Sequence, residues 1–224
     1  MKRYKYDLHV HTSETSNCGR IPGRRVAELY RDAGYDGIVV TDHFYAGFFA
    51  DLGKLSWEEK VDRFLAGYRA AAGRGREIGL TVLLGLEMRF TGSANDYLVY
   101  GSDEGFLKEN PTLLDLGLDG FSRLSREKGF LLYQAHPFRP EIRVADARLL
   151  DGVEVYNGNP RHDSRNFLAR DFAAAHGLKM LSGSDCHQIE DLGRGGIVVR
   201  EKVGTMADLV RLLREERVEE LIEG

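Results

Sequence analysis

Short apolar runs alternate along this chain with stretches whose apolar residues recur every three to four positions. The runs at 7–10, 37–41, 81–86, 130–135, 152–156, 179–182 and 196–199 read as strands. Between them, 23–33 places Val26, Leu29 and Tyr30 on one helical stripe, and 57–78 does the same with Val61, Phe64, Leu65 and Tyr68. The same periodicity predicts helices over 120–128, 165–175 and 206–215. Gly34, Gly79, Gly129 and Gly177 stand where four of these helices should stop. One stretch, 89–101 (RFTGSANDYLVYG), breaks the rhythm and reads as a hairpin turning at 92–95, inserted after the third strand. Alternation of this kind builds a mostly parallel sheet. About seven such units predict an α/β fold, a distorted (β/α)7 barrel that is TIM-like but shorter than usual, with a doubly wound open sheet as the structural alternative.

Composition bounds the picture further. A chain of 224 residues, 42% hydrophobic and 29% charged, can bury one core. Without a linker, repeat or low-complexity tract, 1–224 is expected to be a single domain with a small hairpin insertion near 88–101. The formal net charge of −4 gives no strong nucleic-acid signature, although a nucleotide substrate stays compatible with it. Two cysteines, Cys18 and Cys186, are too few for a disulfide framework and suit a reducing compartment. The basic stretch 1–7 leads into polar residues rather than a signal-peptide core, and no apolar run is long enough for a bilayer. A cytoplasmic protein without a membrane partner is expected.

Chemistry gathers at the strand ends. His9 and His11 lie two apart at the end of the first strand, so their imidazoles share a face. Asp7 falls on that face by the same alternation. His43 closes the second strand, Glu87 the third and His136 the fourth, while Asp185 and His187 follow the sixth. One such residue reads as an ordinary strand-end cap. Seven around the C-terminal rim of a barrel read as a site for borderline divalent ions such as zinc, manganese or iron.

Asp7-Leu8-His9-Val10-His11-Thr12, Thr41-Asp42-His43, Glu87, Ala135-His136-Pro137 and Ser184-Asp185-Cys186-His187 resemble, in order, the motifs and bridging glutamate of the PHP (polymerase and histidinol phosphatase) family. The resemblance runs from Asp7 to His187. It implies a distorted seven-unit barrel, two to three divalent metal ions and hydrolysis of phosphate esters. It further implies a first ion on His9, His11, Glu87 and Asp185, a second on Glu87 and His136, and a third on His43 and His187. Asp7 and Asp42 are expected to orient imidazoles, or to be ordinary strand-end carboxylates. Two departures stand out. Where relatives place an Asp or His after the first motif, this chain has Thr15-Ser16-Asn17-Cys18-Gly19. Cys18 is then either a thiolate ligand of the third ion or a packed loop residue beside a weak or empty position. In the hairpin, where relatives often supply a His, Asp96 is either a carboxylate substitute or a solvated turn residue. Cys186 should point into the core, and His162 and His176 should lie on the surface.

Arg139 and Arg194 sit in loops expected to reach the same rim, where a guanidinium suits phosphate oxygens. With Glu87 and Asp185 they form the expected catalytic set; Asn157, Asn159 and Arg161 are further candidates. The expected activity is hydrolysis of a phosphomonoester or phosphodiester, a nucleotide or small phosphometabolite, by metal-activated hydroxide. No Ser or Cys with a partnered base is evident for covalent catalysis. A histidinol-phosphate phosphatase is the alternative within this class. Outside it stand an amidohydrolase-type C–N hydrolase, disfavoured because Glu87 occupies the place of that group's bridging lysine, and a non-catalytic metal-binding regulatory domain.

Overall fold

The computed structural model describes residues 2–224; Met1, part of the basic N-terminal stretch, lies outside the described residues. The chain runs β1 (Tyr4–Val10), α1 (Gly23–Asp32), β2 (Gly37–Val40), β3 (His43–Tyr45), α2 (Ala46–Asp51), α3 (Trp57–Phe64) and α4 (Ala66–Ile78). It continues through β4 (Thr81–Arg89), β5 (Tyr97–Tyr100), α5 (Glu104–Glu109), α6 (Gly117–Lys128), β6 (Leu131–Gln134) and β7 (Gly152–Asn157). The last elements are α7 (Asn166–His176), β8 (Lys179–Gly183), β9 (Gly195–Val199), α8 (Met206–Arg214) and β10 (Glu220–Glu223). Strands pair in the order β10-β9-β1-β2-β4-β5-β6-β7-β8, with β3 on β4. Just past β8, Val10 bridges Cys186: His11 N donates to Cys186 O at 3.0 Å and Cys186 N to His9 O at 3.2 Å. The sheet thereby comes round on itself as a nearly closed, distorted TIM-like barrel.

The distortion has a plain cause in the connections. β1–β2, β2–β4, β6–β7 and β7–β8 are parallel, but β5 is antiparallel to both its neighbours. The link from Arg89 to Tyr97 is too short for a parallel crossover, so β5 must run back beside β4. The hairpin expected as an insertion thus supplies a strand of the barrel wall itself. β9, expected as the seventh βα unit, instead pairs antiparallel with β1 at Tyr4–Tyr6 and with β10, flanking the closure.

The helix expected over 57–78 is divided at Leu65 into α3 and α4. Thr15 Oγ1 donates to the Phe64 carbonyl there at 2.8 Å, tying the loop after β1 to the break. Ser56 and Glu59 close a capping box that starts α3. Left-handed Gly79 and Gly129 end α4 and α6, as their positions predict. Leu83, Leu98, Tyr100, Leu131, Tyr133 and Leu181 pack beneath the polar rim, while Val26, Tyr30, Ile38 and Val40 fill the layer between α1 and the sheet.

Two irregularities shape the site. Between Asp7 and Val10, β1 carries one residue more than β2, and between Glu154 and Tyr156, β7 carries one more than β8. A bulge resets the alternation of faces. Asp7 consequently faces α1, where Tyr30 OH donates to its Oδ2 at 2.8 Å, while His9 and His11 face the barrel interior. Simple alternation had put all three on one face; the extra residue is why it does not hold.

Candidate metal centre

Glu87, near the end of β4, lies at the middle of the rim and is almost fully buried. Its Oε1 is 3.4 Å from His9 Nε2 and 3.1 Å from His136 Nε2. Its Oε2 is 3.4 Å from His11 Nε2 and 2.6 Å from His43 Nδ1. Asp185 Oδ1 lies 3.4 Å from His9 Nε2, 3.2 Å from His11 Nε2 and 3.3 Å from His187 Nδ1. Two carboxylates and five imidazoles from different strand ends therefore converge. Donor atoms within 4.8 Å of one another define three groups: His9, His11 and Asp185; His11, His43 and His187; and His43, Glu87 and Asp96.

Charge in the cluster follows from this crowding. Burial would raise the carboxyls of Glu87 and Asp185, but the surrounding imidazoles, His43 and His9 first for Glu87 and His9 first for Asp185, hold both well below the usual range. Burial likewise opposes protonation of His9, yet Glu154, Asp185 and Glu87 outweigh it and raise that imidazole. His11 goes the other way, held well below its ordinary value by burial, His187 and His43.

The loop 12–16 is held by Asp42, whose Oδ1 accepts from Thr12 N at 2.7 Å and Ser16 Oγ at 2.8 Å, and whose Oδ2 accepts from Thr12 Oγ1 at 2.6 Å. Ser16 Oγ in turn lies 3.2 Å from His11 Nδ1, so Asp42 acts on an imidazole through a serine. Asp7 instead accepts the backbone N–H groups of His9 and Ser184, at 3.2 and 3.1 Å, and touches no imidazole. The carboxylate expected of Asp7 is supplied by Glu154, at 2.8 Å from His9 Nδ1. An acidic residue inside the otherwise apolar strand 152–156 was the signal that could have found it.

The remaining candidates divide. Cys18 is exposed, with Sγ 3.2 Å from His43 Nε2. Burial would raise its thiol, but hydrogen bonds from His187 and His43 prevail and bring it down to about 6. Cys18 thus stands beside His43, as the ligand alternative for the third ion requires, although no Cys with a partnered base is evident in the sequence. Asp96 joins Glu87 and His43, while both its oxygens accept from Arg89, at 2.7 Å each. Asn17, Cys18, His43, Tyr45, Arg89 and Asp96 line a cavity of about 190 Å³. Arg139 reaches the cluster: its Nη2 donates to Asp185 Oδ2 and Asn157 Oδ1, both at 2.9 Å. Arg194 does not. Its side chain is exposed and its Nε donates to Glu190 O at 2.8 Å, a bond within its own loop rather than to the cluster. Asn159 Nδ2 donates to the Asp185 carbonyl at 3.2 Å, whereas Arg161 pairs with Asp191, whose Oδ2 accepts His187 N at 2.8 Å. Cys186 is buried, and His162 and His176 are exposed.

Whether this donor set suits a cation can be read from its unsatisfied atoms. His9 Nε2 and His11 Nε2 are buried without a hydrogen-bond partner and face the Glu87 and Asp185 carboxylates. Bare nitrogens turned toward carboxylates are the arrangement that a divalent ion satisfies. The residues fit a metal.

A family model described as PHP-associated matches residues 163–218, which span α7, β8, the Asp185–His187 motif and α8. A two-domain protein from Bacteroides vulgatus containing a predicted PHP-like metal-dependent phosphoesterase superposes with a TM-score of 0.67 over 97% of this chain, at 19% identity. The chain shares the fold of that PHP-like protein. The chain spans 64% of that two-domain protein. A lesion-specific endonuclease from Pyrococcus furiosus superposes with a TM-score of 0.68, at 15% identity over 98% of this chain and 58% of its own. An amidohydrolase from Chromobacterium violaceum gives 0.57, at 17% identity over 95% and 96%. No curated protein sequence matches the chain.

Proposed function

We propose that this PHP-fold chain is a metal-dependent phosphoesterase hydrolysing a phosphomonoester or phosphodiester of a nucleotide or small phosphometabolite. The observation that carries the reading is Glu87, a buried carboxylate whose two oxygens face separate imidazole pairs, His9 with His136 and His11 with His43. Such a group can hold two cations close while cancelling part of their charge. In this reading His9, His11, Glu87 and Asp185 hold one ion, Glu87, His136 and Asp96 a second, and His43, His187 and Cys18 a third. Zinc, manganese or iron would suit the mixed nitrogen and oxygen donors. Bound there, such ions supply Lewis acidity toward phosphate oxygens and lower the pKa of water.

The chain's own groups do the rest. Arg139 keeps Asp185 aimed into the cluster, and its Nε, buried without a partner, is the donor free for a phosphate oxygen. Cys18 is read as a ligand rather than a nucleophile, because its partner His43 turns its other nitrogen onto Glu87. The whole of 1–224 would act as one catalytic domain on a small phosphorylated substrate. Among the described residues no helix is long and apolar enough to cross a membrane, and the free cysteines accord with the cytoplasmic placement we propose. The resemblance to an amidohydrolase favours a C–N hydrolase as the second reading, against which stands a glutamate in the bridging place.

The test is hydrolysis of p-nitrophenyl phosphate and of bis(p-nitrophenyl) phosphate by metal-stripped protein, with zinc, manganese or iron added back singly. Metal-restored turnover of either ester supports the proposal, and the ratio of the two rates reports monoester against diester preference. Ion-loaded protein that turns over neither, yet cleaves an amide, overturns it in favour of the second reading.

A further inference from the structure

β7 buries an acid among apolar neighbours, in Gly152-Val153-Glu154-Val155-Tyr156. A buried carboxylate is costly unless donors surround it, and all the donors around Glu154 come from the candidate centre or its rim. Its Oε1 lies 2.8 Å from His9 Nδ1. Its Oε2 accepts the backbone N–H of His136 and Nδ2 of Asn157, each at 2.9 Å. His136 has φ of 30°, a conformation that costs free energy for a residue with a ring and persists only where its surroundings enforce it. The neighbouring backbone is shaped for the same contact. A Cβ on Gly183 would stand 2.4 Å from His9 Cβ and 2.8 Å from Glu154 Oε1, so glycine alone leaves the room.

We propose that Glu154 is the positioning residue that ties the first two ion sites together, holding His9 with its proton on Nδ1 and Nε2 bare, and fixing the His136 peptide so that its ring meets Glu87. The inference rests on the metal-centre reading above. A carboxylate is needed for both tasks because it only accepts. The amide of Glu154→Gln faces a forced choice. With its NH2 toward His9, Nδ1 becomes an acceptor, the proton moves to Nε2, and that nitrogen can no longer ligate. With its oxygen toward His9, its NH2 confronts the His136 N–H and the Asn157 amide, donor against donor. Either arrangement damages one site.

Cobalt(II) titrated into metal-free protein, with chelator competition and visible absorption of the bound ion, reads this out directly. Partners that orient a ligating imidazole typically set 10–100-fold in ion affinity, so Glu154→Gln should bind cobalt 10–100-fold more weakly than wild type and show an altered absorption envelope. Its metal-free circular dichroism should match wild type. Equal affinity and an identical envelope would overturn the proposal. Should the variant fail to fold, nitrogen-15 NMR of zinc-loaded wild type decides: His9 protonated at Nδ1 and ligating through Nε2 supports it, and ligation through Nδ1 refutes it. Wild type that binds neither metal refutes the metal-centre reading, and this inference with it, whereas a variant that matches a metal-binding wild type refutes this inference alone.

Discussion

Tyr30→Phe deletes one oxygen from a packed position and creates no cavity, which isolates a single set of hydrogen bonds. Tyr30 is fully buried on α1, and its hydroxyl donates to Asp7 Oδ2 at 2.8 Å while contacting Ser184 Oγ at 2.8 Å. The backbone donors His9 N and Ser184 N both go to Oδ1, so the Tyr30 hydroxyl serves the other oxygen, Oδ2. A hydrogen bond to a charged acceptor contributes about 1.5–3 kcal/mol, and a buried oxygen left bare costs a similar amount. We therefore expect a loss of about 2 kcal/mol, which for a chain of this size lowers Tm by roughly 4–8 °C. The loss should depend on pH. Burial raises the Asp7 carboxyl to about 6 despite its hydrogen bonds, so its contribution is fully present below the unfolded value of 3.8 and lost as pH rises through the folded one. Removing Tyr30 removes a donor to the ionised form, and the deficit should be larger at about pH 8 than at about pH 5. Differential scanning calorimetry of the metal-free proteins at both pH values is the assay. A Tm within about 1 °C of wild type at the higher pH would refute the reasoning.

Gly67→Ala would place a Cβ 1.8 Å from Thr12 Oγ1 and 3.1 Å from Asp42 Oδ2, breaking the bond that orders the loop after β1. A cost of about 1–3 kcal/mol should appear as a lower urea midpoint, and an unchanged midpoint would contradict the packing described. Cys18 in metal-free protein should be alkylated by iodoacetamide at a rate that climbs through about pH 6, where its thiol titrates, rather than near the ordinary thiol range. Bound metal should suppress that reaction, and Cys18→Ala should hold one ion fewer per chain; equal ion content in the two proteins would show that Cys18 is not a ligand.

The parts of the fold legible in the sequence were those with strong periodicity. Six of the seven expected strands fall on barrel strands because continuous apolar runs such as 37–41 and 81–86 are buried on both faces. The short pieces were not legible: β3 is three residues long, and β10 reads Glu-Leu-Ile-Glu on the sheet edge, too brief to establish a period. The role of β5 depended on a chain-reach argument from Arg89 to Tyr97 that periodicity does not contain. Side-chain direction was the other hidden quantity. The β1 bulge turned Asp7 to the helix side, and Arg194, two residues past Leu192, bends back to the Glu190 carbonyl around a left-handed Gly193. The seven ligand-type residues His9, His11, His43, Glu87, His136, Asp185 and His187 were legible because each closes an apolar run, and strand ends fix position even where faces shift. Glu154 was not, for it lies mid-strand, where an acid reads as a break in the pattern.

The central claim is that Glu87 joins two ion sites into one phosphoesterase centre. Its most direct test is to measure, on the same preparations of wild type and Glu87→Gln, the divalent ions per chain by elemental analysis and the turnover of a p-nitrophenyl ester. The isosteric amide keeps the shape of a buried rim position while removing the charge that four imidazoles face. Wild type should carry more than one ion per chain and hydrolyse the ester, and the variant should fold, lose ions and lose turnover together. A Glu87→Gln protein that keeps both its ions and most of its turnover would contradict the account.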